Sequence, residues 1–384
     1  MPSKLLRRPL LAGLATLSVA LLAACAEMPT DSGPEARPTP QPEEPAEPAA
    51  PTPEPEAAAP FFTGAYLGDA STTPERIGGA IADFERLSGK RPALVKSFHN
   101  LDCDFTASGW CGQLLRKVQE AGSTNYLAID VRWAAGPQSS VLDAIVQGKA
   151  DARLTAIARG IRSVGSVVLL EPAWEMNGNW SFAWQGVENG NAEGPAKYAA
   201  AWRRIVDIFR REGAANVRWV WNPNVGNPLT HAATGASHWN WYANYYPGDA
   251  YVDYVGAHGF NAPKVWGGSW QTFAQMTDGD AADRMLSDLL RRYPTKPVLI
   301  GEFGTDEGTG DAKARWIREA YATMRSRGIA GAVWFHMDKE ADWRIDSTPA
   351  ALAAFREAMA LPGMRTAYAP DAPDAPAGTR LAAR

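Results

Sequence analysis

Between residues 61 and 359, eight short runs rich in β-branched and aromatic side chains alternate with longer stretches of helical period. The runs are FFTGAYLGD (61–69), PALVKSFHN (92–100), NYLAIDVRW (125–133), SVVLLEPAWEMN (166–177), VRWVWNPN (217–224), YVDYVGAHGFN (251–261), PVLIGEFG (297–304) and IAGAVWFHMD (329–338). Helical segments are predicted over residues 73–88, 112–121, 149–164, 195–212, 281–293, 311–327 and 349–359. Parallel strands need long crossovers, and strand followed by helix, repeated around a closed ring, predicts an α/β fold of the (β/α)₈ TIM-barrel type. A doubly wound open sheet would carry a glycine-rich phosphate turn after its first strand, and none is present.

The flanks of this region have a different composition. Lys4, Arg7 and Arg8 precede an apolar stretch, residues 9–24, that ends in Leu22, Ala23, Ala24 and Cys25. This is a signal-peptide layout, too short to span a bilayer. It resembles a bacterial lipobox, which implies cleavage before Cys25 and lipidation of its thiol. Several acyl chains, at ~0.8 kcal/mol per buried CH₂, would hold the chain at a membrane. Ala26, rather than Asp, after the Cys favours an outer-membrane or cell-surface address.

Residues 25–60 read as a Pro/Glu/Ala-rich disordered tether holding 11 of the 29 prolines, and residues 363–384 as a disordered tail. The barrel is therefore placed at residues 61–362. The formal charge of -4 comes from the flanks, where eight acids and one Arg of the tether offset the basic leader. A neutral domain lacks the concentrated basic surface that nucleic acid requires. Cys103 and Cys111 lie eight residues apart in an exported chain and are expected to pair as a disulfide.

Each predicted strand begins apolar and ends in groups costly to bury: His99 and Asn100, Asp130 and Arg132, Glu175, Asn222, His258, Glu302, His336 and Asp338. In barrels of this kind the C-terminal rim carries the chemistry. Glu175 ends the fourth strand and Glu302 the seventh, three places apart in a ring of eight, so both side chains can converge across the mouth. Two carboxyls ~5 to 5.5 Å apart suit double displacement at an acetal, one attacking the anomeric carbon while the other gives and then takes a proton. Glu175, beside Trp174, Met176 and Trp180, sits in apolar company that favours a protonated acid. Glu302, flanked by Gly301 and Gly304 where backbone donors can approach, is expected to stay ionised.

All fifteen Trp lie between Trp110 and Trp343. Polysaccharides present flat C–H faces and hydroxyl edges, so indole platforms beside fixed polar groups suit them. The expected sugar contacts are Trp133, Trp180, Trp184, Trp334, Asn177, Asn222 and His258. Trp174, Trp221, Trp266 and His336 are further candidates. A zinc site from His99, His258 and His336 lacks local ligand spacing, so neither metal nor other cofactor is expected.

These residues resemble glycoside hydrolase family 26, the β-mannanases and their relatives, over about 300 residues. EMNGNWSFAW (175–184) is similar to that family's acid/base segment, YPGDAYVDYVGAHGFN (246–261) to its sixth strand, and KPVLIGEFG (296–304) to its nucleophile strand. The resemblance implies a retaining β-glycanase with Glu175 as acid/base and Glu302 as nucleophile.

Three positions depart from the family pattern. Glu171 and Trp174 stand where Arg and His often precede the acid, and Phe260 where a Tyr commonly serves the nucleophile. Tyr242, Tyr245, Tyr246 and Asn261 are candidates to replace that lost hydroxyl, and Glu171 is expected to raise the acid's pKa by repulsion if it is near. The expected activity is endo-hydrolysis of a β-linked polysaccharide, of β-mannan type, by a monomer tethered to the membrane. A β-glucanase or xylanase, an exopolysaccharide-trimming hydrolase and a glycan-binding lipoprotein without turnover stay open.

Overall fold

The computed structural model describes residues 59–137, 139–226, 238–279 and 284–369. The proposed signal peptide, the lipidation site Cys25 and nearly all of the tether lie outside these residues. Eight strands follow in order: β1 (Phe61–Tyr66), β2 (Leu94–Asn100), β3 (Thr124–Asp130), β4 (Val168–Pro172), β5 (Val217–Trp221), β6 (Tyr254–Asn261), β7 (Val298–Thr305) and β8 (Gly331–Phe335). Each pairs in parallel with the next, and β1 pairs with both β2 and β8, which closes the ring. Every expected run coincides with one of these strands, β3 starting one residue before its run and β7 ending one residue after.

Helices α1 (Pro74–Ser88), α2 (Trp110–Glu120), α3 (Val141–Val146), α4 (Asp151–Val164), α5 (Gly194–Arg211), α6 (Pro263–Trp266), α7 (Phe273–Asp278), α8 (Met285–Arg292), α9 (Ala312–Ser326) and α10 (Pro349–Met359) accompany the strands. α1 shows how sequence sets their limits. Pro74 opens it where a missing N–H costs nothing, and Gly89 closes it in the left-handed region at φ 79°. Ile77, Ile81 and Phe84, spaced by one turn, bury one face. The expected alternation fails once: between β5 and β6 the described residues hold only short 3₁₀ turns, Tyr242–Tyr245 and Asp249–Tyr251. No helix among the described residues is long and apolar enough to cross a membrane.

The ordered domain also runs further than expected. A short ninth strand, β9 (Met364–Arg365), pairs with β1. Beyond it the Tyr368 ring lies 4.9 Å from that of Phe62, and its hydroxyl is 2.8 Å from that of Tyr254. The first residues of the supposed tail thus cover apolar surface at the N-terminal end of the barrel. Pro and Ala richness concealed one aromatic anchor.

The inner core is a layer to which every barrel strand contributes: Phe62, Leu94, Tyr126, Leu169, Val220, Tyr254, Leu299 and Val333. Two residues further along, the inward positions turn polar or small, with Lys96, Glu171 and Asn222 beside Gly64, Gly256 and Gly301. The glycines make room for the polar groups. A Cβ on Gly301 would meet the Asn222 amide and come within 2.6 Å of both His258 Nε2 and the Tyr126 hydroxyl.

Candidate active site

Glu302 reaches the barrel interior through an irregularity in β7. Leu299 points inward, and strict alternation would send residue 302 outward. The β6–β7 register instead runs Ala257 to Ile300 and then His258 to Glu302, leaving Gly301 as an extra residue. A β-bulge of this kind re-aims the side chain that follows it. Phe303 then points outward, stacking on Trp316 and packing edge-on against Trp334.

Glu175 is placed by a strained turn after β4. Its φ of 54° and that of Ala173 at 53° lie in the left-handed region, rare for residues with side chains. Three hydrogen bonds hold the turn: Glu175 N–H donates to the Asn222 carbonyl at 2.9 Å, while Gly178 N–H and the Gln185 amide donate to the Glu175 carbonyl at 3.0 and 3.1 Å. Strain maintained by surrounding contacts in this way is characteristic of functional positions.

The two carboxyls meet. Glu175, His258 and Glu302 each offer an atom within 4.8 Å of those of the other two. His258 Nδ1 lies 3.0 Å from Glu175 Oε1 and 3.4 Å from Glu302 Oε1. Beneath them Lys96 Nζ stands 2.8 Å from Glu302 Oε1 and 2.6 Å from Glu171 Oε2, and His258 Nε2 is 2.8 Å from Glu171 Oε1. Lys96 Nζ also donates to the Gly301 carbonyl at 3.2 Å and sits 3.1 Å from His258 Nε2. Lys96, Glu171 and His258 have no exposed surface, whereas Glu175 and Glu302 keep 8% and 5%.

Charge balance follows from this packing. Burial works against the His258 cation, but Glu171 and Glu302 outweigh it and raise the imidazole pKa to about 9. Burial likewise opposes the Glu171 anion, yet His258 and Lys96 lower its pKa to about 2. Its two oxygens are taken by two different cations, so it is matched rather than left to repel Glu175. For Glu302, burial is the largest influence and the net direction is upward. Lys96 and His258 pull it down, while Glu175 and Glu171 push it up again. The groups that favour the Glu302 anion are the His258 and Lys96 cations rather than the expected backbone donors, and burial outweighs them.

Most of the anticipated sugar contacts are enclosed. Trp334 is fully buried and donates its indole N–H to the Trp343 carbonyl at 2.7 Å. Trp184, equally buried, donates to the Trp174 carbonyl at 2.6 Å. Trp133 is 6% exposed and lies under Arg153, and Trp221 packs among Tyr242, Tyr246 and Tyr293. Asn177 ties the β4 and β5 loops together through Asn224, donating to its carbonyl at 2.9 Å and accepting from its N–H at 2.8 Å. Asn222 donates to the Tyr126 hydroxyl at 2.6 Å. Side chains with no open surface cannot stack on a sugar, so these indoles serve the core between barrel and helices. Trp180 at 38% and Trp266 at 60% exposure remain available as platforms.

The hydroxyls proposed to replace the missing tyrosine are engaged elsewhere. Tyr242 bonds Asp288, Tyr245 bonds Asn240, Tyr246 bonds Asp249 at 2.8 Å, and Asn261 donates to Thr305 at 3.0 Å. Phe260 itself packs on Trp343 and Trp266. Lys96 and Tyr126 escaped the sequence reading, although a lysine inside an otherwise apolar strand was the available signal. Cys103 and Cys111 are joined as a disulfide, which withdraws their sulfurs from any site with His99. The spacing of Glu175, His258 and Glu302 would also suit a metal ion; Glu302 in addition has a cation partner beneath the cluster, the Lys96 ammonium at 2.8 Å.

Comparison with known proteins agrees with this geometry. Residues 149–281, which include Glu175 and His258, match Glycosyl hydrolase family 26. Endoglucanase H of Acetivibrio thermocellus is 38% identical over 300 residues, covering 77% of this chain and 30% of that protein, so the chain spans less than a third of the relative's length. The catalytic domain of the Bacillus sp. JAMB-750 endo-β-1,4-mannanase superposes with a TM-score of 0.59 at 19% identity, over 80% of this chain and 87% of that one. The modular endo-β-1,4-mannanase of Cellulomonas fimi gives 0.54 at 18% identity, over 74% and 66%. At such identities the solved structures share the fold. In sequence over residues 149–281 and in fold over most of its length, the barrel is similar to glycosyl hydrolase family 26.

Proposed function

We propose that this chain is a retaining, endo-acting hydrolase of a β-linked polysaccharide with a glucan backbone. The observation that carries the proposal is the approach of Glu175 and Glu302 to within 4.8 Å at one rim, the spacing of direct attack rather than of an interposed water. Glu302, ion-paired through Oε1 to Lys96, offers Oε2 to the anomeric carbon. Glu175, on the more exposed turn, protonates the leaving oxygen and later takes a proton from water. Trp180 and Trp266 supply stacking surface.

The glucan backbone is favoured over mannan because the 38% identical relative is named an endoglucanase, whereas the mannanases resemble this chain at 16–19% identity. The loss of the family's Arg and His at Glu171 and Trp174, directly before the acid on β4, also weakens a mannan reading. The lipobox-like segment supports action from a membrane tether, and the acidic, Pro-rich stretch supports reach away from it.

Incubation of the full chain with mixed-linkage β-glucan, carboxymethylcellulose, xylan and β-mannan tests the substrate. Cleavage of glucan with internal cuts is expected, and cleavage of mannan alone would reverse the backbone assignment. Anomeric NMR of the first product must show the β form. An α product appearing first rules out double displacement.

A further inference from the structure

The two carboxyls of a retaining site exchange charge within each turnover. Glu302 begins as the anion. When its oxygen bonds to the anomeric carbon and the bond to the leaving group breaks, Glu302 becomes a neutral ester. Glu175 has meanwhile given its proton to the leaving oxygen and is left anionic. Water then attacks, its proton passes to Glu175, the ester bond breaks, and the charge returns to Glu302. A buried site needs a donor that serves either anion without moving far, because reorganising polar groups in a low dielectric is costly.

We propose that His258 is this donor: a positioning residue whose Nδ1–H follows the negative charge from Glu302 to Glu175 and back. Its Nδ1 lies between the two, 3.0 Å from Glu175 Oε1 and 3.4 Å from Glu302 Oε1, so a small tilt of the hydrogen bond is enough. The ring is locked from below. Nε2 faces Glu171 Oε1 at 2.8 Å and Lys96 Nζ at 3.1 Å, and a Cβ at Gly301 would come within 2.6 Å of it. The bulge that turns Glu302 inward also sets His258 beside it in register.

The groups facing the ring are Lys96 from β2, Glu171 and Glu175 from β4 and its turn, and Glu302 from β7. If Nε2 accepts from Lys96 the ring is the neutral Nδ1–H form. If it donates to Glu171 the ring is either the imidazolium, which keeps the Nδ1 proton, or the neutral Nε2–H form, which lacks it and which the NMR test below detects. The pKa raised to about 9 agrees with the imidazolium. His258 therefore touches reacting carboxyls rather than sugar, in place of the substrate-binding role its sequence position suggested. Glu171 and Lys96, set two residues inside the rim, act through it.

This inference rests on the retaining mechanism proposed above, and the experiment separates the two. Histidine ring ¹⁵N NMR on the unmutated full chain reads the protonation of Nδ1 directly. Nδ1 is expected to carry its proton from about pH 5 to pH 8. A bare Nδ1 in that range overturns the proposal, even if the chain hydrolyses glucan normally.

Two variants give the kinetic arm. H258N places an amide N–H near the position of Nδ1, and H258L removes the donor. H258N is expected to stay within ~10-fold of the parent in kcat/KM, and H258L to fall by ~10³-fold, with both half-reactions slowed. If the two are equally slow while melting alike, the role is structural only. If the parent cuts no β-glycan at all, the functional proposal fails instead.

Discussion

Lys96 Nζ and Glu171 Oε2 stand 2.6 Å apart with neither side chain exposed, at the level where the barrel interior changes from apolar to polar. A lone charge there would cost several kcal/mol of desolvation, so each group depends on its partners. Lys96→Met leaves Glu171 and Glu302 with one cation fewer and is expected to destabilise the fold by ~3–5 kcal/mol in urea unfolding. Adding Glu171→Gln to that variant should recover part of the loss. A double variant less stable than Lys96→Met would mean that the pair is not what holds these charges.

The catalytic assignment separates by leaving group. Glu302→Ala should abolish hydrolysis of every substrate. Glu175→Ala should lose ~10²–10⁴-fold on the polymer yet keep turnover of a dinitrophenyl β-glycoside, whose leaving group needs no proton. Parent-like rates on the polymer in both variants would remove these residues from the mechanism.

Removal of residues 364–384 tests the unexpected C-terminal anchor. It deletes β9, the 2.9 Å hydrogen bond from the Thr63 hydroxyl to the Arg365 carbonyl, and the Tyr368 ring over Phe62. Burial of one such ring is worth ~1.5–3 kcal/mol, so a lower melting temperature is expected, whereas deletion from residue 370 onward should leave it unchanged.

Two buried histidines, His99 and His258, and the half-buried His336 give stability a maximum in pH. Burial lowers the pKa of His99 to about 4, and chiefly burial does the same for His336. Between that value and the unfolded value of about 6.5, the unfolded chain binds protons that the folded chain refuses, so stability falls as pH drops. His258 acts with the opposite sign. Its folded pKa of about 9 makes its contribution complete below the unfolded value and lost as pH rises through 9. Melting temperature against pH should therefore peak near pH ~6.5 and decline on both sides, and a profile that keeps rising to pH ~9 contradicts the His258 environment.

The eight strands were legible because each is a short run of β-branched and aromatic residues bounded by helical period. The two carboxyls were legible because charged residues at strand ends are unusual unless a rim uses them. The tryptophans misled: Trp184 and Trp334 have the composition of a sugar platform but the burial of core, and a linear pattern does not distinguish the outward face beneath a helix from the open mouth. Lys96 was passed over because a cation in an apolar strand acquires meaning only from Glu171 and Glu302, 75 and 206 residues away.

What the amino-acid order determined by itself was the rhythm of strand and helix, and with it a closed parallel barrel with polar groups at one end. Only the tertiary structure decided that Glu302 faces inward. That depends on the bulge at Gly301, which shifts the two-residue alternation by one and is set by pairing with β6 rather than by any local preference. The same pairing brought His258 between the two carboxyls. Register between distant strands is a property of the closed ring, because hydrogen bonding around the whole barrel must be satisfied at once.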